Sequence, residues 1–192
     1  MKVGLSGGIG CGKSTVLGFF REAGWRTIES DAVVRELLAK NSKVQSQLHA
    51  RWGEAVFTDG AVDRGAVAKR VFSDESELKW LEELLHPLVR ESWQASIEQT
   101  PGANWLVEIP LLFEKRLETR FDLTVCVASS PDVVADRMVA RAYTEAQIEQ
   151  RRKQQMSLEE KIERADHLIS NAGSLEFLKQ QTTRLIEQIT AH

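Results

Sequence analysis

The chain is poor in cysteine: two in 192 residues, Cys11 and Cys126, are too few for a disulfide framework or a zinc site. It lacks long apolar runs, and nothing approaches the roughly eighteen residues of a membrane-spanning helix. It lacks a charge bias as well; a net charge of −3 gives no general affinity for nucleic acid. Internal repeats and low-complexity segments are missing, which excludes a repeat array. The first strand signal begins at Lys2, so no leader is expected ahead of it. The expectation is a soluble cytoplasmic protein. What is present is a 42% share of hydrophobic residues, enough for a proper core, at a length suited to one domain with an inserted subdomain.

Residues 7–14 read Gly-Gly-Ile-Gly-Cys-Gly-Lys-Ser and fit the phosphate-binding pattern G-x-x-x-x-G-K-[ST]. In such a loop the glycines let backbone N–H groups turn inward around a phosphate chain. Lys13 brings a positive charge to the β- and γ-phosphates, and Ser14 offers its hydroxyl to Mg²⁺. The flanks supply the required context. Residues 2–6 form a short apolar run, and Val16, Phe19 and Phe20 make a helical stripe after the loop. The helix N-terminus adds its own attraction for anions. Cys11 sits inside the loop, where it reads as a small filler or as an oxidisable thiol.

Further strands are expected at residues 25–29, 104–109, 123–127 and 167–170, each a short apolar run of the buried parallel kind. The inferred fold is α/β, a five-stranded parallel sheet with helices on both faces. Its active site is expected at the carboxyl ends of the strands. Residues 32–99 carry no convincing strand. Val44, Leu48 and Trp52 recur at helical spacing, as do Leu78, Leu81, Leu85 and Leu88. Asp74 with Glu77 resembles a helix start, and Pro87 is expected to kink or restart that helix. This α-helical insertion suits a substrate-binding subdomain. Pro131 opens another helix, and capping boxes are expected at 144–147 and 157–160. Residues 140–157 hold few large apolar side chains and many charges, which suits a helical lid. The expected division is a nucleotide-binding core at 1–31, 100–136 and 159–192, an acceptor-binding insertion at 32–99 and a lid at 137–158. The final helix buries Leu178, Leu185 and Ile189 on one face.

A phosphate-binding loop alone does not choose among kinase, GTPase, motor and adaptor. Phosphoryl transfer further needs mobile cations and a group that prepares the acceptor hydroxyl. Asp31, just past the second strand, is the candidate base, orienter or water-mediated Mg²⁺ contact; the competing reading is a helix cap. Arg137, Arg141, Arg151 and Arg152 are candidate cations, against the alternative of an ordinary solvated face. Glu108 ends an apolar strand, where it either reaches Mg²⁺ through water or faces solvent. His86 either binds a substrate anion or makes a structural hydrogen bond. The five tryptophans read as packing, with stacking on a base as the alternative. No N-K-x-D segment is present in the later region, so guanine reading is not expected.

Several segments, in order, resemble the dephospho-coenzyme A kinase family of P-loop kinases. Residues 4–15 are similar to that family's G-L-T-G-G-I-G-S-G-K-S-T, with Ser6 for Thr and Cys11 for Ser. Glu29-Ser30-Asp31 with Arg35 resembles its D-A-D followed by Arg, Glu29 departing from the first Asp. Asp59-Gly60 with Asp63-Arg64, Val71-Phe72, His86-Pro87, Pro110-Leu111-Leu112-Phe113-Glu114, Gln155-Met156-Ser157 and Ala165-Asp166 follow in family order. The resemblance implies transfer of the γ-phosphate of ATP, with Mg²⁺, to the ribose 3′-hydroxyl of dephospho-CoA. It implies ATP contacts at Gly8, Ile9, Gly10, Cys11, Gly12, Lys13, Ser14, Thr15, Arg137 and Arg141, with Asn171 near the adenine. It implies an acceptor held by the insertion with Asp31, Arg35, His86 and residues 110–114, catalysis by Asp31, Lys13 and Arg141, and metal contacts at Ser14, Asp31 and Glu108. The expected partners are ATP and dephospho-CoA, without nucleic acid or membrane, and a monomer is favoured. Another small-molecule or nucleoside monophosphate kinase, or a non-catalytic nucleotide-binding module, stays open beside this reading.

Overall fold

The computed structural model describes residues 1–140, 148 and 155–191. The chain divides into two compact units, Met1–Glu29 with Pro101–His192, and Ser30–Thr100.

The first unit is built on five parallel strands, β1 (Lys2–Gly7), β2 (Arg26–Glu29), β5 (Trp105–Glu108), β6 (Leu123–Ala128) and β7 (His167–Ser170), in spatial order β2-β5-β1-β6-β7. Strands β3 (Phe57–Thr58) and β4 (Ala61–Val62) belong to the second unit. All five expected strands are present, shifted by at most two residues at an end. The parallel pairing follows from the sequence: runs such as Val3–Leu5 and Val125–Val127 are apolar at nearly every position, so both faces must be covered. On one face Val3, Leu5, Leu106, Val125 and Val127 pack with apolar residues of α1 (Lys13–Glu22) and α8 (Leu175–Thr190). On the other, Gly4 leaves room for Phe121 and Leu112, and α7 (Leu158–Arg164) touches β1 and β6. α6 (Pro131–Ala140) begins at Pro131 as expected, and Ser157 with Glu160 forms a complete capping box on α7. The box expected at 144–147, and most of the expected lid, lie outside the described residues. No helix among the described residues is long and apolar enough to cross a membrane.

The second unit holds α2 (Ser30–Lys40), α3 (Ser42–Trp52), α4 (Arg64–Ser73) and α5 (Glu75–Glu98) around Leu38, Val44, Leu48, Trp52, Val71, Leu81 and Leu85. Its helices start on side-chain caps. Asn41 accepts the Val44 N–H at 3.0 Å, Asp63 the Gly65 N–H at 2.8 Å, and Asp74 the Ser76 N–H at 2.8 Å. The Ala66 and Gly65 N–H groups hold the Asp63 carboxyl below its usual range.

One expectation is corrected here. The insertion is not wholly helical: β3 (Phe57–Thr58) pairs antiparallel with β4 (Ala61–Val62). Asp59 and Gly60 join them with φ of 51° and 78°, the doubly left-handed turn that Asp-Gly tolerates. Strands of two residues are too short to show alternation. Of the kink or restart expected at Pro87, the restart is absent, since α5 runs through it as one element of 24 residues. The tryptophans pack as expected; Trp25 meets Phe20 edge-on with centroids 5.0 Å apart, and Trp52 meets Trp80 likewise at 5.0 Å.

Candidate active site

Strand β1 ends at Gly7 and α1 begins at Lys13, so residues 8–12 arch between them. Gly12 is left-handed, with φ of 93°, and a Cβ there would overlap the Asn171 side-chain nitrogen. Only glycine lets the backbone pass so close to that amide. Lys13 bends back over its own loop. Its Nζ donates to the carbonyls of Gly8 at 3.0 Å and Gly7 at 3.3 Å, and lies 4.0 Å from Glu108 Oε1. The register sets this up, since Glu108 pairs with Leu5 on β1 and lies on the α1 side of the sheet. Glu108 is buried, unlike the solvent-facing alternative. Ser14 is exposed in the first turn of α1.

On the β6–β7 flank a second network fastens the loop. Asn171 Nδ2 donates to the Cys11 carbonyl at 2.9 Å, and Asn171 N–H donates to Ala128 O at 2.7 Å. Arg137 reaches Asn171 Oδ1 at 3.1 Å and the Gly10 carbonyl at 3.4 Å. Ser129 Oγ donates to Asn171 O at 2.7 Å. Asn171 is buried, so its side chain is spent on the loop backbone and on Arg137. Arg137, expected as a lid cation, belongs to α6 and braces the loop's floor. Ser129 was not singled out in the sequence, where nothing sets it apart from other serines.

Cys11 is 1% exposed and packs in the core beside Gly8, which accounts for its place in the loop as an apolar filler. Cys126 is equally buried, and both thiols are free. Burial pushes the Cys126 thiol up to about 11; Cys11 adds to the rise, and the Lys161 and Lys13 ammonium groups oppose it. In the native protein at neutral pH, Cys126 is therefore expected to resist iodoacetamide and to react once the chain is unfolded. The sign for stability follows. The folded thiol holds its proton beyond the ordinary value of 9.0, so stability is intact below that pH and falls as pH rises toward about 11. Urea titrations at mildly and strongly alkaline pH should show a steeper fall for the wild type than for Cys126→Ala.

After β5, residues 110–114 turn away from the sheet. Leu112 and Phe113 are fully buried, which leaves Pro110, Leu111 and Glu114 partly exposed. Glu114 Oε1 accepts the Met156 N–H at 2.8 Å and faces Lys161 Nζ at 3.0 Å. The remaining candidates lie in the second unit. Asp31 is exposed in the first turn of α2, inside the helix and not ahead of it as a cap would be. Arg35 is exposed on the same helix, and His86 is half-buried on α5. Arg141, Arg151 and Arg152 lie outside the described residues.

Among the described residues no cluster of three or more His, Cys, Asp or Glu could hold a metal ion. Mg²⁺ commonly takes one or two protein oxygens and completes its shell with substrate phosphates and water. The exposed Ser14 hydroxyl and the Glu108 carboxylate fit that kind of site and do not fit an all-protein cage.

A parallel sheet whose first strand runs through a glycine loop into a helix, with a lysine folded over the loop, defines a P-loop nucleotide-binding protein of the small-kinase type. A family model for dephospho-CoA kinase matches residues 1–176. The dephospho-CoA kinase of Shewanella oneidensis is 36% identical over 185 residues, covering 95% of this chain and 90% of that one. That of Aquifex aeolicus is 33% identical over 191 residues, covering 98% and 97%. A crystal structure from Thermus thermophilus superposes with a TM-score of 0.81 at 35% identity, covering 98% of this chain and 97% of that one. A shikimate kinase from Acinetobacter baumannii, 13% identical with a TM-score of 0.57 and coverage of 99% and 93%, shares the fold alone. The chain belongs to the dephospho-CoA kinase family.

Proposed function

We propose that this protein transfers the γ-phosphoryl group of ATP to the ribose 3′-hydroxyl of dephospho-CoA, giving CoA and ADP, the last step of CoA biosynthesis. The observation that carries the reading is family membership along nearly the whole chain, joined to a loop already shaped for phosphates. The backbone N–H groups of residues 8–12 and the Lys13 ammonium hold the donor's phosphates. Ser14, with Glu108 through water, would hold Mg²⁺, which would supply neutralisation of the phosphate charge. Arg137, Asn171 and Ser129 keep the loop fixed, so no reorganisation is needed when charge develops. The Asp31 carboxylate orients the acceptor hydroxyl and takes its proton; its place two residues past the carboxyl end of β2 supports that role. Arg35, His86 and the turn at 110–114 serve the acceptor, and Arg141 serves the transferring phosphate. Residues 32–99 act as the acceptor subdomain and 137–158 as a lid. The same reading takes the enzyme to be cytoplasmic and monomeric.

The test is ADP release from ATP with dephospho-CoA as the sole acceptor, beside a panel of shikimate, gluconate and nucleoside monophosphates. Turnover is expected with dephospho-CoA and is expected to be negligible with the others. Strong turnover of another alcohol and none of dephospho-CoA would overturn the reading.

A further inference from the structure

Lys161 has no place in the chemistry above, yet it is the most deeply buried charged side chain among the described residues, with no exposure at all. Placing an ammonium out of water is heavily penalised unless charge and hydrogen bonds replace the hydration shell. Here they do. Nζ donates to the Pro110 carbonyl at 2.9 Å, faces Glu114 Oε1 at 3.0 Å, and reaches Gln155 Oε1 at 3.4 Å. Local sequence aims it there. The Ser157–Glu160 capping box fixes the start of α7, and Lys161 follows at the next position, on a helix that touches β1 and β6.

The partners belong to two different segments. Pro110 and Glu114 bracket the turn after β5, and Gln155 precedes α7. Ser6 Oγ, from the residue before the phosphate-binding loop begins, reaches the same Pro110 carbonyl at 3.5 Å. Glu114 Oε2 is buried with no partner among the described residues, so Lys161 carries much of that carboxylate's compensation. Stability alone is a poor reason to keep such a pair, since a well-packed apolar pair in its place is often as stable. A fixed position for the 110–114 turn relative to the loop is a better one.

The sheet order says which substrate gains. The pins on the loop's floor, Asn171, Ser129 and Arg137, stand on the β6–β7 side of β1. The 110–114 turn follows β5, on the opposite side. We propose that Lys161 is a positioning residue for the acceptor. It touches no substrate, but through Pro110 O and Glu114 it holds the 110–114 turn at a set distance from the phosphate-binding loop. This rests on the kinase reading above.

The test is Lys161→Met in the full chain, with both substrates varied and thermal unfolding followed in parallel. The KM for dephospho-CoA should rise about tenfold or more while the KM for ATP stays within about twofold. A merely structural lysine would lower kcat with the folded fraction and leave both KM values alone. That result, or a KM for ATP rising as far as the acceptor's, overturns the proposal. The double variant Lys161→Met with Glu114→Met removes both charges and should recover much of the lost melting temperature. The acceptor KM should stay high in it; recovery of that KM along with stability overturns the proposal. If Lys161→Met does not fold, Glu114→Gln keeps the shape and drops the charge, and a rise below about threefold in acceptor KM overturns it. Wild-type turnover keeps the two readings apart. If the wild type uses a different alcohol, the assignment of dephospho-CoA fails, and the same KM comparison is made on that alcohol.

Discussion

Replacing Lys13 with alanine is expected to lower kcat by about two to three orders of magnitude, the usual loss when one preorganised charge-stabilising group is removed from a phosphoryl or acyl transfer site. The ammonium is held in its own loop by two carbonyls, at 3.0 and 3.3 Å, with Glu108 Oε1 at 4.0 Å. Neutral carbonyls are weak partners beside a triphosphate, so the cation is expected to exchange to a stronger acceptor when the nucleotide arrives. Charge spreads over the transferring oxygens in the transition state, so the loss should appear in kcat at saturating ATP as well as in the KM for ATP. Rates are to be read beside a melting curve, because Glu108 is buried and the substitution changes its surroundings. Near-normal turnover in a folded Lys13→Ala protein would remove the loop from the mechanism.

The parts of the molecule that could be read from sequence are those whose physics is local. A buried parallel strand declares itself by a short, mostly apolar run, which is why β1, β5 and β6 are legible nearly to the residue; β7 offers only Leu168 and Ile169, of which Ile169 alone is buried. Caps declare themselves by residue type, and Asp74 and Ser157 behave as such. The loop was legible because glycine at position 12 answers a steric demand. What stayed hidden depends on partners distant in the chain. Lys161 looks like any helix lysine; its burial is decided by Pro110 and Glu114, some fifty residues earlier. Arg137 read as one charge in a run of arginines, and only the approach of β7 to β6 brings Asn171 beside it. Asp59-Gly60 carried a hairpin signal, but β3 and β4 are too short for any periodicity to support it.

Asp31→Asn is expected to lower kcat by about two to four orders of magnitude, the range attributed to a positioned general base. ATP affinity should change by less than about tenfold. The substitution also separates the two roles that sequence left open for this residue. Asparagine caps or begins a helix about as well as aspartate, so any contribution of Asp31 to the start of α2 should survive and the melting temperature should hold. What is lost is the charge and the ability to take a proton. In a loose phosphoryl-transfer transition state the proton leaves late, so orientation of the hydroxyl carries part of the effect. The pH profile apportions it: if Asp31 is the base, the acidic limb of kcat disappears in the asparagine variant; if it only orients, the limb persists at a lower plateau. A collapse of ATP affinity with the rate preserved at saturation would instead assign the carboxylate to the metal.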